Sequence, residues 1–376
     1  MIGSPDGPPR RRSRALPVVL VAALFGYVLT HRYHAPPTQA VPVPPVPVST
    51  PERADEPHLV GRVGAGPAGL RLLVDGYEPR IVDTHTLSVS PVAGLSLRPG
   101  TTAQLLRLGR SRLVALASLH GPGAGVYLVR PGAAPWLLGN AGHAIPSRDG
   151  GILLARYGRE TTAVVGLSLD RRLVSRWQLP GNVLLLRDTP AGLLVARYAV
   201  AGNADLLLVD RRTGGLIRRL GHGRYAVATG DHSLAWVPAR CSPSCSVVVT
   251  QLSTGASRRY PVYQRPVLTT GAFSPDERWL ALSFSGIAGD GAGPLEPGAV
   301  VVLDLRTGRR TDVPGVSTPL AEHADVTWSA DGRWLVLGVK YPQRERLAIW
   351  RPGHEVVILP VVLSGRPTTA TLTALA

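Results

Sequence analysis

Cysteine is scarce in this 376-residue chain, with only two, and this limits the kinds of metal and redox site that it can hold. Structural zinc sites usually take four Cys and His ligands, and only His232 is near the cysteines in the sequence. Three residues separate Cys241 from Cys245, one more than in the common redox motif. If this segment is exported to an oxidising exterior, we predict a Cys241–Cys245 disulfide that stiffens one surface loop.

Lysine is rarer still, because Lys340 is the only one among 41 Lys and Arg residues. The formal net charge of +16 is therefore carried by arginine, and with 42 Gly and 35 Pro it indicates a GC-rich genome. The arginines are dispersed rather than clustered with aromatics, so we expect no nucleic-acid partner. We interpret them as a solvated rim that discourages edge pairing, with contact to anionic lipid or a wall polymer as the alternative. The arginine pairs are Arg171–Arg172, Arg211–Arg212, Arg218–Arg219, Arg258–Arg259 and Arg309–Arg310.

The N-terminus predicts export and membrane attachment. Residues 10–14, RRRSR, precede an uncharged apolar run over 15–30. The run is short for a hydrocarbon core of about 30 Å, so a cleaved signal peptide is an alternative, but no small-x-small site follows it directly. We therefore expect a single-pass protein of the cell membrane with its bulk outside the cytoplasm. The predicted segments are a basic cytoplasmic tail (1–14), a transmembrane signal anchor (15–33), an extended Pro-rich linker (34–57) and a folded domain (58–376).

The folded domain lacks clear helical periodicity, and short Val- and Leu-rich strands alternate with Gly, Pro and Asp turns. Two segments align, GAFSPDERWLALSF (271–284) and DVTWSADGRWLVLGV (325–339), and each predicts two strands joined at an Asp turn. A second hairpin follows each one, so that a repeat of about 40–45 residues holds four strands. We predict that the turn aspartates bond their own backbone. They are Asp149, Asp188, Asp231, Asp276 and Asp331.

The repeats predict an all-β fold, a seven-bladed β-propeller, although six or eight blades would also fit. Six complete repeats leave material for three strands in 58–90 and for one strand in 368–376. Together these would form a seventh blade that is closed by both chain ends and leaves no free edge.

Two sequence features also resemble known families. FSPDERWLAL and WSADGRWLVL, followed by VVLDLRTG and LAIWRPG, resemble the repeats of TolB-type and WD-repeat-like β-propellers. The basic N-terminus, the membrane segment and LAWVPARCSPSCSVVVTQLSTG resemble exported actinobacterial propellers of unknown function. The Trp-Asp dipeptide of WD repeats is absent, so their partner-binding residues do not carry over. The resemblance implies the fold and no particular activity.

Such a fold would gather the unusual segments on one face. This face would hold the loops between the second and third strands of each blade and the loops that lead from one blade to the next, and we call it the loop face. The Asp turns would lie on the opposite face, which we call the turn face. The loop face would carry both cysteines and the Gly-rich insertion 285–299. Its candidate binding residues are His143, His222, His323, Asp290, Glu296 and Asp325. Converging histidines could hold zinc, but their placement on separate blades favours a structural role, so we predict no metal and no cofactor.

The function predicted from these features is a monomeric scaffold that binds a ligand, an extracytoplasmic protein or a wall component, without catalytic activity. No G-x-S-x-G, H-E-x-x-H or D-x-D-x-D-G motif occurs. Propeller enzymes often assemble sites from scattered residues, so a hydrolase or lyase acting on wall glycan or peptide is the alternative. Its carboxylates would be drawn from Asp290, Glu296, Glu322 and Asp325. A purely structural spacer is the third reading.

Overall fold

The regular secondary structure of the described residues consists of β-strands. The computed structural model describes residues 59–75, 79–95, 97, 102–108, 112–118, 124–130, 132–198, 203–238, 246–262, 267–285, 298–317, 324–341, 344–364 and 372–375. They form 28 β-strands, and among them there is no helix long and apolar enough to span a membrane. The predicted tail, anchor and linker lie outside the described residues.

Most strands are short, as expected from the spacing of the turn residues. In chain order they are β1 (Arg62–Val63), β2 (Arg71–Val74), β3 (Arg80–Asp83), β4 (Val89–Pro91), β5 (Thr102–Leu108), β6 (Arg112–Ser118), β7 (Ala124–Val129), β8 (Trp136–Ala141), β9 (His143–Pro146), β10 (Ile152–Tyr157), β11 (Thr161–Leu167), β12 (Leu173–Pro180), β13 (Val183–Thr189), β14 (Gly192–Tyr198), β15 (Ala204–Val209), β16 (Leu216–Thr229), β17 (Ser233–Pro238), β18 (Ser246–Gln251), β19 (Ser257–Pro261), β20 (Val267–Phe273), β21 (Trp279–Ser285), β22 (Val300–Asp304), β23 (Arg310–Asp312), β24 (Ala324–Trp328), β25 (Leu335–Tyr341), β26 (Arg344–Trp350), β27 (Val357–Ser364) and β28 (Leu372–Leu375).

These strands pair into six sheets, which we label A to F. Sheet A has the order β28-β2-β3-β4, sheet B β5-β6-β7-β8, sheet C β12-β11-β10-β9, sheet D β13-β14-β15-β16-β17-β18-β19, sheet E β20-β21-β22-β23 and sheet F β1-β27-β26-β25-β24. Within sheets B to E, chain neighbours are sheet neighbours and pair antiparallel, so each sheet is a meander built from local hairpins.

Sheet A joins the two ends of the domain, as the sequence predicted. The C-terminal strand β28 pairs with β2, with Leu375 opposite Arg71 and Leu372 opposite Val74. One detail of the sequence reading was wrong, because the domain begins with an additional strand. That strand, β1, pairs parallel with β27 at the outer edge of sheet F and covers it.

Sheet D contains two sets of four strands that share β16. The first half of this 14-residue strand pairs with β15 and the second half with β17, and Gly223 is opposite Ala204 on one side and Pro238 on the other. A Cβ at Gly223 would lie 2.2 Å from the carbonyl oxygen of Val237. Glycine is therefore required where the strand passes from one set to the next.

The turn aspartates fall into two groups, and the prediction for them was correct for one group only. Asp276 accepts hydrogen bonds from Ser274 Oγ at 2.6 Å and from the backbone N–H of Arg278 at 3.2 Å, which closes its own turn. Asp331 has the same contacts with Ser329 and Arg333.

The other turn aspartates bond to a different repeat. Asp188 accepts from Ser147 Oγ at 3.2 Å and from the backbone N–H of Arg148 at 2.9 Å. Asp231 pairs with Arg187 at 3.0 Å, and Asp149 pairs with Arg211. The expectation of self-contained turns was wrong for these three, because their carboxylates face the neighbouring set of strands and connect the sets on the turn face.

Hydrophobic clusters lie between neighbouring sheets. Leu73 and Leu375 of sheet A pack with Leu105 and Ala115 of sheet B, while Leu153 and Trp177 belong to the cluster between sheets C and D. The first strands of successive sheets also contact each other: β9 contacts β5 and β13, and β20 contacts β16 and β24. The first strand of each set is thus the inner one, and burial between the sheets stabilises the domain.

Two arginines of the predicted rim connect neighbouring sets of strands instead of facing only solvent. Arg218 donates to the carbonyl oxygen of Ser253 at 2.8 Å. Arg258 approaches the carbonyl oxygens of Leu305 and Arg306 at 3.3 and 3.4 Å. In both cases the acceptors belong to the turn between the third and fourth strands of the next set.

Candidate functional site

The described residues include part of the loop face, where the sequence predicts the binding site. Cys241, Cys245, Asp290, Glu296, Glu322 and His323 lie outside the described residues, and the disulfide stays a prediction. His143, His222 and Asp325 are described and lie in β9, β16 and β24, on three different sheets. Among the described residues, no three His, Cys, Asp or Glu side chains are grouped so that they could hold a metal ion.

His143 makes a structural contact. Its Nε2 lies 2.9 Å from the carbonyl oxygen of Leu185, so Nε2 carries the proton and donates it. This bond joins the first strand of sheet C to the first strand of sheet D. Burial lowers the pKa of His143, and the hydrogen bond to Leu185 acts in the opposite direction. The interior position therefore favours the neutral ring.

His222 belongs to a charged row on three adjacent strands. Asp205 on β15 accepts from Arg197 Nη2 at 2.9 Å and lies 3.0 Å from His222 Nδ1. Arg219 Nη2 is 3.8 Å from the same carboxylate. The hydrogen bonds from Arg197 and then His222 hold the pKa of Asp205 below its ordinary value. The carboxylate thus fixes one imidazole nitrogen of His222, whose side chain is 52% exposed.

Two tyrosines lie near this row, at the ends of the second strands of sheets C and D. Tyr157 ends β10 and Tyr198 ends β14, and they are 47% and 43% exposed. Burial raises the pKa of both phenols, and that of Tyr157 is raised further by its proximity to Tyr198. The ring of Tyr157 lies against Gly142, where a Cβ would be 2.4 Å from Cδ2. The glycine before His143 therefore leaves room for an aromatic ring at the surface.

We call Tyr157, Arg197, Tyr198, Asp205 and His222 the tyrosine–arginine surface. Of these residues, the sequence reading had named only His222. The missed signal is the repeated tripeptide Ala-Arg-Tyr at 155–157 and 196–198, which ends equivalent strands of sheets C and D. A repeat on neighbouring sheets places its tyrosines side by side.

Two cavities lined by described residues lie on the turn face. One, of about 570 Å³, lies where the turns of sheet C meet those of sheet D and is lined by Asp149, Ser175, Arg211 and Arg212. The other, of about 650 Å³, lies between sheets B and C beside Trp136. Arg130 stacks on that ring, with its Cζ 4.2 Å from the centroid.

Comparison with known proteins supports the arrangement of the sheets. No protein-family profile matches the chain. No curated protein matches it either. A proposed 6-phosphogluconolactonase of Bacteroides fragilis matches 83% of this chain and 100% of its own, with a TM-score of 0.55 and 11% identity. A protein of Lactobacillus plantarum matches 82% of this chain and 100% of its own, with a TM-score of 0.54 and 13% identity. The chain has a β-propeller fold.

The propeller is also similar to TolB of Acinetobacter baumannii. This match covers 82% of the chain and 67% of TolB, with a TM-score of 0.47 and 16% identity. All of these identities are low, so the likeness concerns the fold alone. Any function of the propeller has to be argued from its own surface.

Proposed function

We propose that the chain is a membrane-anchored, extracytoplasmic β-propeller of seven blades that works as a protein-binding scaffold. The blade number is supported by sheet D, whose seven strands form two sets of four that share β16. Counting these two sets separately, the six sheets correspond to seven blades. Hydrophobic clusters lie between neighbouring blades counted in this way, including the cluster between the two sets of sheet D, and they also support seven blades. The anchor is supported by the basic, then apolar, N-terminal sequence.

The tyrosine–arginine surface is the observation that carries the binding role. Tyr and Arg are enriched at protein interfaces, because they combine a large contact area with polar groups that specify orientation. Tyr157 and Tyr198 present part of their rings to solvent, while Asp205 holds Arg197 and His222 in place. A surface whose side chains are already held loses less conformational entropy when a partner binds.

The test is crosslinking of the full-length protein in membranes of its native host, followed by mass spectrometry. The variant Tyr157→Ala/Tyr198→Ala is expected to weaken capture of the partner by about tenfold or more, since each tyrosine of an interface centre contributes on the order of 1–2 kcal/mol. The matched control is Val60→Ala/Val63→Ala, which shortens two exposed side chains, 67% and 64% exposed, beside and within β1.

The outcomes separate the possible functions. Loss of one reproducible protein in the tyrosine variant, with retention in the valine variant, supports the scaffold. Capture that is equal in both variants contradicts this surface as the binding site. Retention on wall material without any protein partner contradicts the scaffold and favours the glycan- or peptide-cleaving alternative.

A further inference from the structure

Asp205 lies at the centre of a cluster of polar side chains on the first set of strands of sheet D. Leu207, which follows it on β15, belongs to the hydrophobic cluster between sheets C and D. Because alternate residues of a strand share a face, Asp205 lies on the side that faces sheet C. Arg197 and His222 are opposite Asp205 on the two neighbouring strands. Arg219 is opposite Leu207, so all four polar residues share this side.

Arg197 is the fixed cation of the cluster. Its Nη2 donates to Oδ2 of Asp205 at 2.9 Å, and its side chain is 34% exposed. A Cβ at Gly181 would lie 3.4 Å from Cδ of Arg197, so the arginine packs beside the segment that leads from sheet C to sheet D. Arg197 therefore holds the carboxylate of Asp205 in one orientation.

Arg219 is the cation that is available to a partner. Its Nη2 is 3.8 Å from Oδ2 of Asp205, which is beyond hydrogen-bonding distance, and its side chain is 62% exposed. Its guanidinium group makes no hydrogen bond to the part of the chain that the structure describes. A guanidinium group can donate two parallel hydrogen bonds to a carboxylate. Arg219 can thus bind a carboxylate of a partner without losing an existing hydrogen bond.

His222 supplies an acceptor beside Arg219. Hydrogen bonds from Arg197 and then from His222 hold the pKa of Asp205 below its ordinary value, so its carboxylate is ionised and can only accept. Nδ1 of His222, which is 3.0 Å from Oδ1 of Asp205, therefore carries a proton. In the neutral ring Nε2 then has a lone pair, and the side chain is 52% exposed. A partner that contacts Nε2 has to supply a donor such as an N–H group.

The described charged side chains around this cluster are mainly positive. Five arginines and two acidic residues lie at the loop-face ends of sheet C and of the first set of sheet D, which leaves a formal charge of +3 when His222 is neutral. Such an excess favours the approach of a negatively charged partner. The seven residues are Arg156, Arg159, Glu160, Arg197, Asp205, Arg219 and Arg224.

Tyr157 contributes an aromatic ring from sheet C. Ala155, on the same strand, belongs to the cluster between sheets C and D, so Tyr157 lies on the side of sheet C that faces Asp205. The residue is 47% exposed. Its ring can therefore contact the methylene groups of a partner segment that lies across the cluster.

We propose that this cluster binds an acidic segment of the partner protein. An Asp or Glu carboxylate of the segment pairs with Arg219, and a main-chain N–H group donates to Nε2 of His222. The inference rests on the scaffold role and deepens it, because it names the chemistry of the partner. An anionic polymer without N–H or O–H groups would pair with Arg219 but would leave Nε2 without a donor.

The test measures binding of fluorescein-labelled peptides to the full-length protein in phosphatidylcholine nanodiscs by fluorescence anisotropy. Hexaglutamate is expected to bind about tenfold or more tightly than hexaglutamine, and to bind more weakly as salt is added. Arg219→Gln is expected to weaken hexaglutamate binding about tenfold, because it removes a charge-assisted contact. The matched control is Arg212→Gln, which removes the same charge from an exposed position of the same set at the turn face.

A second pair of probes tests the histidine. Labelled polyacrylate of similar length has carboxylates but no N–H donors. His222→Phe keeps an aromatic ring and removes the acceptor, so it is expected to weaken hexaglutamate binding about threefold or more and to leave polyacrylate binding unchanged. Any change in the orientation of Asp205 would affect both probes alike. Equal thermal unfolding of all variants shows that folding is preserved.

The outcomes distinguish this inference from the scaffold role. If hexaglutamate binds equally to Arg219→Gln and Arg212→Gln, or if polyacrylate binds the wild type as tightly as hexaglutamate does, the acidic-segment inference is wrong. Capture of a protein that the tyrosine variant loses would still support the scaffold in that case. If hexaglutamate behaves as expected but crosslinking captures no protein, the scaffold role is wrong and the preference of the cluster for acidic peptides is supported.

Discussion

His143 shows how one side chain can connect two blades. Its Nε2–H donates to a carbonyl group of the next inner strand, and the ring is partly buried between them. The contact to Leu185 gives this histidine a structural role, one of the two alternatives that the sequence left open. Among the described residues, no group of three His, Cys, Asp or Glu side chains that could hold a metal ion includes it.

The position of His143 predicts a pH-dependent stability. Burial lowers its pKa below the ordinary value of 6.5, so below that pH the unfolded chain binds a proton that the folded chain does not. We expect the free energy of unfolding to decrease as the pH falls below about 6.5, until the folded-state pKa is passed. His143→Gln keeps a donor for the carbonyl group but does not titrate, so this part of the pH dependence is expected to disappear.

The measurement is urea unfolding of the wild type and of His143→Gln at several values between about pH 5 and pH 8. At the upper end the two proteins are expected to differ by no more than roughly 1 kcal/mol, because the glutamine amide can still donate to the Leu185 carbonyl group. Parallel pH profiles for the two proteins would contradict the assigned burial.

At the scale of a single element, β16 connects two blades without a loop. Its sequence LGHGR carries glycines at 221 and 223, and both lie against the ring of Trp236. The strand can be continuous because these positions lack a Cβ where the chain passes from an outer to an inner position. The cost of glycine in a strand is offset here by close packing.

Gly223→Ala is expected to destabilise the protein by about 1–3 kcal/mol, because the added methyl group collides with the Val237 carbonyl and the Trp236 ring. Gly215→Ala is the control, since its nearest neighbour, Thr213 Oγ1, is 3.2 Å from the new Cβ. Thermal unfolding of both variants distinguishes them. A similar effect of both substitutions would mean that crowding at β16 is not the cause.

At the scale of the whole molecule, closure of the sheet ring depends on the last strand. Ala374 packs in the cluster between sheets F and A, and Leu375 packs in the cluster between sheets A and B. The strand also covers β2, whose Leu72 and Leu73 are fully buried. A few C-terminal residues therefore stabilise contacts with residues from both halves of the chain.

Truncation after residue 371 is expected to lower the free energy of unfolding by roughly 3–5 kcal/mol, because it removes buried side chains and uncovers apolar surface. The exposed edge of β2 is also expected to promote self-association. Calorimetry and size-exclusion chromatography test both effects, and removal of Ala376 alone is the control that leaves β28 intact. A truncated protein that is as stable and as monomeric as the control would contradict closure by β28.

The local repeat pattern was enough to predict the hairpins of the repeats and the pairing of both chain ends in one sheet, but not the additional strand β1. Strand, Asp turn and strand recur in segments such as 271–284 and 325–339, and local spacing is what sets antiparallel meanders. The closing strand could be inferred because a circular array must pair its last edge.

Only the tertiary structure decided which side chains meet across sheets. Asp276 and Asp188 both looked like turn residues, yet one closes its own turn and the other bonds the neighbouring sheet. Likewise, the tyrosine–arginine surface joins Tyr157 to Tyr198. These two tyrosines are about 41 residues apart in the sequence, so local propensity carries no information about their contact. Their proximity follows from the packing of one sheet against the next.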